Sequence, residues 1–263
     1  MAGQIIEMHD WLATPPGAYL LQWEHAQMAE TLANVFGFHA LQLGLPELDA
    51  LGSNRMPHRW LATHSWRDPA QPAAQLQQHH LICDFSALPF SANSLDLVVL
   101  PHALELTPDP HGALREVERV LVPGGRVAIC GFNPLSLWGL CQRRSHLYQR
   151  LGFSQLFLPD AGEFIGYLRL RDWLRLLGLD VEKGSFGCYR PAFKSAHWLQ
   201  QFAWMDQVGA RWWPFLGSVY FLLAIKRVHG MTPLNPAWKP VRRMAGAPVS
   251  VAASAHTASA RNQ

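Results

Sequence analysis

Residues 83–134, CDFSALPFSANSLDLVVLPHALELTPDPHGALREVERVLVPGGRVAICGFNP, decide the fold of this chain. The nearly unbroken apolar run 95–100 has no helical period and predicts a strand buried on both faces, as in a parallel sheet. Asp109 is a helix N-cap with Pro110 at the first helical position, and apolar residues at helical spacing follow. The segment PGG ends that helix, and 126–132 predicts a second buried strand. Strand, helix and strand predict a βαβ unit with a right-handed crossover.

Three blocks of this stretch stand in an order and at a spacing that a known family shares. They are Asp84 with Leu88-Pro89-Phe90, then SLDLV at 94–98, then LREVERVLVPGG at 114–125. In these blocks the chain resembles the second half of a class I S-adenosylmethionine-dependent methyltransferase domain of the type 11 branch. That branch includes quinone-biosynthesis and other small-molecule methyltransferases. Most of the matching residues are scaffold, so the match bears on the fold more than on the activity.

The resemblance implies a fold, a cofactor and an activity. The fold is α/β: a Rossmann-like seven-stranded, mostly parallel sheet with an antiparallel last strand and helices on both faces. The cofactor is S-adenosyl-L-methionine, and the activity is methyl transfer to a small-molecule acceptor rather than a macromolecule.

Length and composition favour one large domain with an additional segment at its end. The 263 residues are 49% hydrophobic and 16% charged, and no run reaches the roughly 18 apolar residues of a membrane span. No basic stretch followed by an apolar core opens the chain, so no signal peptide is predicted. The four cysteines have no metal-like spacing, and no third ligand accompanies His79 and His80. We therefore expect a reduced, cytoplasmic protein without a metal site.

The charge distribution separates a body from a basic end. Residues 1–206 hold 15 Lys and Arg against 19 Asp and Glu, a balance of −4, whereas residues 207–263 hold 7 basic residues and no acid. The segment 231–263 is poor in large apolar residues, which predicts a disordered basic tail after a methyltransferase-like domain over 1–230. Such a tail could contact an anionic partner through a salt-sensitive, unspecific attraction.

The predicted cofactor loop departs from the family pattern. A helix over 18–36 precedes the first strand, 38–43, and Gly44 ends that strand. The resemblance places here a glycine-rich loop whose backbone approaches the methionine part of the cofactor too closely for a Cβ. Gly44 matches the first glycine, but Pro46 and Leu48 stand where two more are expected. Because proline removes an amide, we expect cofactor binding to be weaker than is usual for the fold.

Candidate cofactor-binding residues follow the ends of the next predicted strands. After the second strand, 59–63, the family has an acid that accepts the ribose hydroxyls, and here His64 or Ser65 could bind a hydroxyl less strongly. Asp84 keeps the family's position for a carboxylate near the adenine amine, the alternative being an ordinary turn residue. Phe85 either stacks on the adenine or is a core aromatic.

Pro101 and His102 follow the fourth strand directly and complete this set of candidates. Ligands of open α/β sheets bind at the carboxyl ends of strands near the switch point in strand order, so all of these residues should line one cleft. A histidine can take a proton from a phenol or amine near neutral pH, which makes His102 the candidate general base or substrate-orienting group. The alternative is a histidine that merely caps the strand.

An aromatic-rich insertion over 190–215 separates the last two predicted strands, 179–189 and 219–226. In an open α/β fold an insertion there can reach over the carboxyl edge of the sheet. Some of its aromatics are predicted to line an apolar acceptor pocket, the alternative being a satellite core under the insertion. The six large aromatics are Trp198, Phe202, Trp204, Trp212, Trp213 and Phe215.

Two other functions compete with methyl transfer. A methyltransferase-fold protein that binds the cofactor poorly would act as a binding or scaffold module, and the missing glycines and missing ribose acid favour it. A nicotinamide-dependent Rossmann enzyme is disfavoured, because it too requires Gly-x-Gly-x-x-Gly and a ribose acid. The sequence predicts a methyltransferase and does not identify its acceptor.

Overall fold

The chain folds around a mixed sheet of seven strands. The structure is a computed structural model that describes residues 8–64, 79–150, 157–159 and 164–227, without the side chains of 145–150. The predicted site residue Ser65 and the predicted tail, 231–263, lie outside the described residues. The strands are β1 His39–Leu43, β2 His58–Thr63, β3 His79–Ile82, β4 Leu95–Pro101, β5 Leu121–Phe132, β6 Leu179–Gly187 and β7 Val219–Lys226.

The strand order is β3-β2-β1-β4-β5-β7-β6. Neighbours from β3 across to β5 are parallel, and β7 is antiparallel to both β5 and β6. The predicted Rossmann-like sheet with an antiparallel last strand is therefore confirmed. Strand order reverses between β1 and β4, and this is the switch point at which open α/β sheets bind ligands.

The described helices are α1 Met8–Leu12, α2 Pro15–Leu32, α3 Ala103–Leu106, α4 Pro110–Val120, α5 Leu137–Arg150, α6 Tyr167–Leu176, α7 Ala196–Gln201 and α8 Trp204–Trp212, with a 3₁₀ turn at Pro214–Leu216. As predicted, Asp109 caps α4 by accepting a hydrogen bond from the Gly112 amide at 2.8 Å. α2 begins at Pro15 rather than at residue 18 as predicted. Proline is tolerated in the first turn of a helix, because the amide that it lacks would have no hydrogen-bond partner there. None of the described helices is long and apolar enough to cross a bilayer.

Helices cover both faces of the sheet. On one face α1, α2 and the loop after β1 bury side chains such as Leu20 and Leu48 against Val99 of β4. On the other face α4 and α6 pack against the alternate side chains of the same strands, among them Val98 and Leu100 of β4. Burial on both faces explains why the central strands are continuous apolar runs.

The connection between β6 and β7 lies at the carboxyl edge of the parallel strands. The last residues of β5 and β6, Phe132 and Gly187, both pair with Val219, the first residue of β7. The aromatic-rich insertion therefore begins and ends at the edge that carries the candidate cofactor residues. On the other side of the switch point, the connection 44–57 between β1 and β2 contains turns but no helix.

Candidate functional site

Gly44, His64 and Phe85 meet at the carboxyl edge of the sheet. The ring centroids of His64 and Phe85 are 3.8 Å apart at an interplanar angle of 32°. A Cβ at Gly44 would lie 3.7 Å from the Phe85 ring, an ordinary contact, so its φ of +74° rather than lack of space favours glycine there. Phe85 is buried and His64 is exposed, so the aromatic ring offered to a ligand at this edge is that of His64.

Asp84 lies beside this ring pair and is exposed. Its Oδ1 accepts hydrogen bonds from the Ser86 amide at 2.9 Å and the Ser86 hydroxyl at 2.8 Å. These two bonds, with a smaller effect of His64, hold the pKa of Asp84 below its ordinary value. An ionised carboxylate with a fixed orientation can accept a hydrogen bond from an amine or a hydroxyl at the mouth of the site.

Gln42, a buried side chain on β1 that sequence reasoning missed, shapes the loop after Gly44. Its Nε2 donates to the carbonyls of Gly44 at 3.3 Å, Leu45 at 2.9 Å and Leu48 at 2.7 Å, and its Oε1 accepts from the Ala50 amide at 3.2 Å. Leu45 follows with a φ of +43°, which is uncommon outside glycine. The signal in the sequence was a lone polar residue within an otherwise buried strand.

The loop after Gly44 is thus a self-bonded turn whose leucines point into the core. Leu45, Leu48 and Leu51 are buried in the cluster that also contains α1 and α2. Because 44–57 contains no helix, the loop offers no helix N-terminus to an anionic group. The connection after Gly44 is therefore held by bonds within the protein, and its effect on cofactor binding stays a prediction.

His102 lies at the end of β4 but is completely buried. Its Nδ1 is 2.7 Å from Glu105 Oε2, and its Nε2 is 2.7 Å from Glu24 Oε1. The other oxygen of Glu105 accepts from the Phe132 amide at 2.6 Å, and the Phe132 ring lies 4.3 Å from the imidazole. The three side chains join α2, the end of β4 and the end of β5, and we call them the buried triad.

The buried triad holds His102 in its charged form. Burial by itself lowers the pKa of His102, but attraction by Glu24 and Glu105, with a hydrogen bond to each, outweighs burial and raises it to about 10. An imidazolium with both nitrogens bonded to carboxylates has no free lone pair to accept a proton. This geometry argues against His102 as a general base and favours a structural role.

Glu24 was another residue that sequence reasoning missed. It lies on the buried stripe of α2 between Leu20 and Met28, each four residues away. The free thiol of Cys130 lies near it, and burial together with the Glu24 charge raises the pKa of that thiol well above its ordinary value. An acid inside an apolar stripe was the available signal, because a buried carboxylate requires a partner.

The insertion folds as α7, α8 and the 3₁₀ turn, and its most prominent aromatics face solvent. Trp212 is 70% exposed, Trp213 54% and Phe215 67%. They therefore neither line an enclosed pocket nor form a packed satellite core. Inside the insertion, Phe193 stacks on Phe202 with centroids 5.4 Å apart, so only part of the predicted small core exists.

The chain is similar in sequence to a methyltransferase family and to two bacterial proteins. Residues 60–129 match the family described as a methyltransferase domain. The chain is 28% identical over 226 residues to the uncharacterized protein YafS of Escherichia coli K12, covering 86% of this chain and 83% of that protein. It is 28% identical over 162 residues to the ubiquinone/menaquinone biosynthesis C-methyltransferase UbiE of Cereibacter sphaeroides, covering 60% of this chain and 57% of that protein.

A solved structure shows the same fold. The S-adenosylmethionine-dependent methyltransferase of Mesorhizobium loti superposes with a TM-score of 0.53 at 14% identity, covering 78% of this chain and 97% of that one. The matched segment runs from β2 into β5 and includes the βαβ unit on which the predicted resemblance rests. The sequence match and the fold therefore support the resemblance to class I S-adenosylmethionine-dependent methyltransferases of the type 11 branch, and that resemblance implies S-adenosyl-L-methionine as the cofactor.

Proposed function

We propose that this protein transfers a methyl group from S-adenosylmethionine to a small-molecule acceptor at the carboxyl edge of its sheet. The observation that carries the proposal is the convergence of Gly44, the His64–Phe85 ring pair and the oriented carboxylate of Asp84 at the switch point. A flat ring, a charged acceptor and a close-approach glycine are what an adenosine and its attached sulfonium would require.

The residues present fit the adenosine end of the cofactor. In the proposed complex Asp84 accepts from the adenine amine, and the His64 ring, supported from below by Phe85, stacks on the base. Ser65 is the proposed partner of a ribose hydroxyl. Gly44 and Pro101, at the ends of β1 and β4, line the floor beside the sulfonium.

The methionine end fits less well, because the loop amides are engaged in other contacts. The amide of Gly44 donates to the Ala62 carbonyl at 2.7 Å, and those of Leu48 and Ala50 donate within the loop. Within the described connection 44–57 there is no helix whose N-terminus could bind the cofactor carboxylate. We therefore expect a dissociation constant in the micromolar range or weaker.

The proposed mechanism relies on placement and exclusion of water, not on proton abstraction by His102. S-adenosylmethionine, when bound, supplies a methyl group that is already activated by the sulfonium. Asp84, His64 and Ser65 would hold the base and ribose, and placement of the acceptor beside the methyl donor in a site without water would supply the rest of the rate. The buried triad keeps α2 against the end of β4, which closes one side of the cleft.

A second function, a binding or scaffold module on the same fold, is favoured by one observation. The amides and carbonyls of the Gln42-bonded loop are engaged within the protein, so they do not supply contacts that a tight cofactor site would use. Isothermal titration with S-adenosylmethionine and S-adenosylhomocysteine separates the two functions. Micromolar binding of either compound supports the enzyme, whereas no heat at millimolar concentration supports the scaffold.

A further inference from the structure

An exposed apolar segment ends the insertion at the carboxyl edge. Seven consecutive residues, ARWWPFL at 210–216, are all exposed, and three of them are large aromatics. Exposed aromatic side chains of this size gain free energy when a partner surface removes them from water. Contiguous apolar patches of this kind mark sites of interaction.

The segment has apolar neighbours at the start of α5. The Asn133 amide donates to the carbonyls of Phe215 at 2.8 Å and Gly217 at 2.9 Å, while its Oδ1 accepts from the Leu135 amide at 3.1 Å. These bonds place the start of α5 beside the 3₁₀ turn. We define the aromatic surface as the exposed side chains of Leu135, Leu137, Leu140, Trp212, Trp213, Phe215 and Leu216.

The fold holds this surface in place. Asp206 of α8 accepts hydrogen bonds from the Tyr19 hydroxyl of α2 and from Arg190 Nε, the latter at 2.9 Å. The Tyr189 hydroxyl donates to the Pro214 carbonyl at 2.9 Å. The exposed rings are thus carried by a segment bonded to the body of the domain, so their exposure does not come from a loose loop.

The charges that accompany the aromatic surface are almost all positive. The segment 133–150 contains three arginines and no acid. The segment 190–216 contains Arg190, Lys194 and Arg211, and its single acid, Asp206, is already bonded to Arg190. Tryptophan beside leucine and arginine is the composition of surfaces that rest in the headgroup region of an anionic bilayer.

We propose that the aromatic surface docks on an anionic lipid bilayer and that the acceptor is an apolar molecule dissolved in that bilayer. The inference rests on the proposed methyl transfer for its second half. The geometry supports it because the insertion and α5 both start from the carboxyl edge, where the cofactor residues lie. An acceptor leaving the bilayer would therefore enter the domain on the side where its methyl donor binds.

The test measures sedimentation of the full chain with vesicles of phosphatidylglycerol and phosphatidylcholine, against vesicles of phosphatidylcholine alone. We expect binding to the anionic vesicles, a blue shift of tryptophan emission, and weaker binding at high salt. The triple variant Trp212→Ser, Trp213→Ser, Phe215→Ser should lose at least about tenfold in affinity. The pair Arg143→Glu and Arg211→Glu should abolish the preference for anionic lipid.

A matched control replaces exposed apolar residues elsewhere. Phe36, Phe38 and Leu176 are 73%, 70% and 85% exposed and lie just before the amino ends of β1 and β6, at the opposite edge. Their triple serine variant should bind vesicles like the parent. Failure of the parent to bind anionic vesicles would overturn the proposal. So would equal loss in both triple variants, or a surface that mediates self-association or binds a protein but not vesicles.

Titration of S-adenosylhomocysteine without vesicles keeps this inference separate from the proposed function. The serine variant of the aromatic surface should bind the cofactor product like the parent, since none of its residues is placed at the cofactor. Cofactor binding without vesicle binding rejects only the docking surface. Vesicle binding without cofactor binding rejects only the methyl transfer, and with it the role of the bilayer as a source of acceptor.

Discussion

Asp84 is the charged side chain at the proposed adenosine end of the site. It is exposed, and the Ser86 bonds both orient it and keep it ionised. Its place at the end of β3 follows from the sheet topology, while its orientation comes from a local turn. The Ser86 turn therefore presents an ionised carboxylate in a defined orientation before any ligand binds.

The first prediction is that Asp84→Ala weakens binding of S-adenosylhomocysteine roughly tenfold to a hundredfold, because a bond to a charged acceptor is lost. Titration calorimetry gives the two dissociation constants. The matched control is Asp172→Ala, which removes an exposed carboxylate from α6. Equal affinity in the parent and the Asp84 variant would remove Asp84 from the site.

The second prediction concerns Gln42. Gln42→Ala leaves the carbonyls of Leu45 and Leu48 without their buried donor, so we expect the free energy of unfolding to fall by about 2–4 kcal/mol. Because the loop after Gly44 loses its shape, cofactor affinity should fall as well. Urea denaturation and calorimetry measure the two effects.

A second buried glutamine separates the two effects of that variant. Gln142 on α5 also bonds to backbone, accepting from the Leu158 amide at 3.0 Å. Gln142→Ala should lower stability and leave cofactor affinity unchanged. If the two variants weaken cofactor binding equally, the loop held by Gln42 has no special relation to the cofactor.

At the scale of elements, the buried triad ties helix α2 to the sheet. Glu24 comes from α2, His102 from the end of β4, and Glu105 from α3, which also bonds to the end of β5. A buried ion group of this kind adds little net stability, but removing one member is costly because the remaining charges stay buried. The triad therefore fixes where α2 lies more than how stable the domain is.

The third prediction is a pH dependence of stability. The folded pKa of His102, about 10, exceeds its unfolded value of 6.5, so the folded state binds the extra proton. Its contribution is complete below pH 6.5 and is lost as pH rises through 10. The free energy of unfolding should fall by up to about 1.4 kcal/mol per pH unit between about pH 7 and pH 8.5.

Denaturation curves of His102→Gln provide the comparison. We expect the variant to be less stable by about 3–5 kcal/mol at pH 7 and to lack the parent's decline with pH. Below about pH 8 a thiol with an ordinary pKa of 9.0 is mostly protonated, so the buried thiols Cys130 and Cys188 add only a small part of the slope there. A parent whose stability is flat over this range would refute the charged state of the imidazole.

At the scale of the whole molecule, the proposed cofactor site and the aromatic surface both lie at the carboxyl edge of the parallel strands. The proposed cofactor-binding residues follow β1 to β4, and the aromatic surface follows β5 and β6. The antiparallel β7 makes this possible, because the chain after β6 must return at the same edge to begin β7. The described residues belong to one compact unit, Met1–Val228.

The fourth prediction is that a chain ending after residue 230 keeps its fold and its cofactor affinity, because the described sheet and the described part of the candidate site are built from residues up to the end of β7. Circular dichroism and titration of S-adenosylhomocysteine check the two properties. The same truncation removes four of the seven basic residues of 207–263, Lys239, Arg242, Arg243 and Arg261. Loss of cofactor binding on truncation would place the tail in the site.

The fold could be predicted from the sequence: residue patterns predicted the βαβ unit, and the family resemblance implied the seven-stranded sheet. The apolar run of β4, the Asp109 cap and the strand β5 are local patterns, and local backbone physics is enough to predict them. Motif spacing also predicted the edge at which Gly44, His64 and Asp84 lie, because parallel strands bring their carboxyl ends together. The choice of Asp84 and His64 as candidates needed only that rule and the family resemblance.

Only the tertiary structure decided what these side chains contact. His102 directly follows a strand, where catalytic residues of open α/β sheets commonly lie. In the structure, Glu24, 78 positions earlier, and Glu105 bond to both ring nitrogens and raise the pKa of His102. The tryptophans of the insertion suggested a pocket, but their exposure depends on how α8 docks on α2. Contacts between distant residues set burial and pKa, and no local pattern contains them.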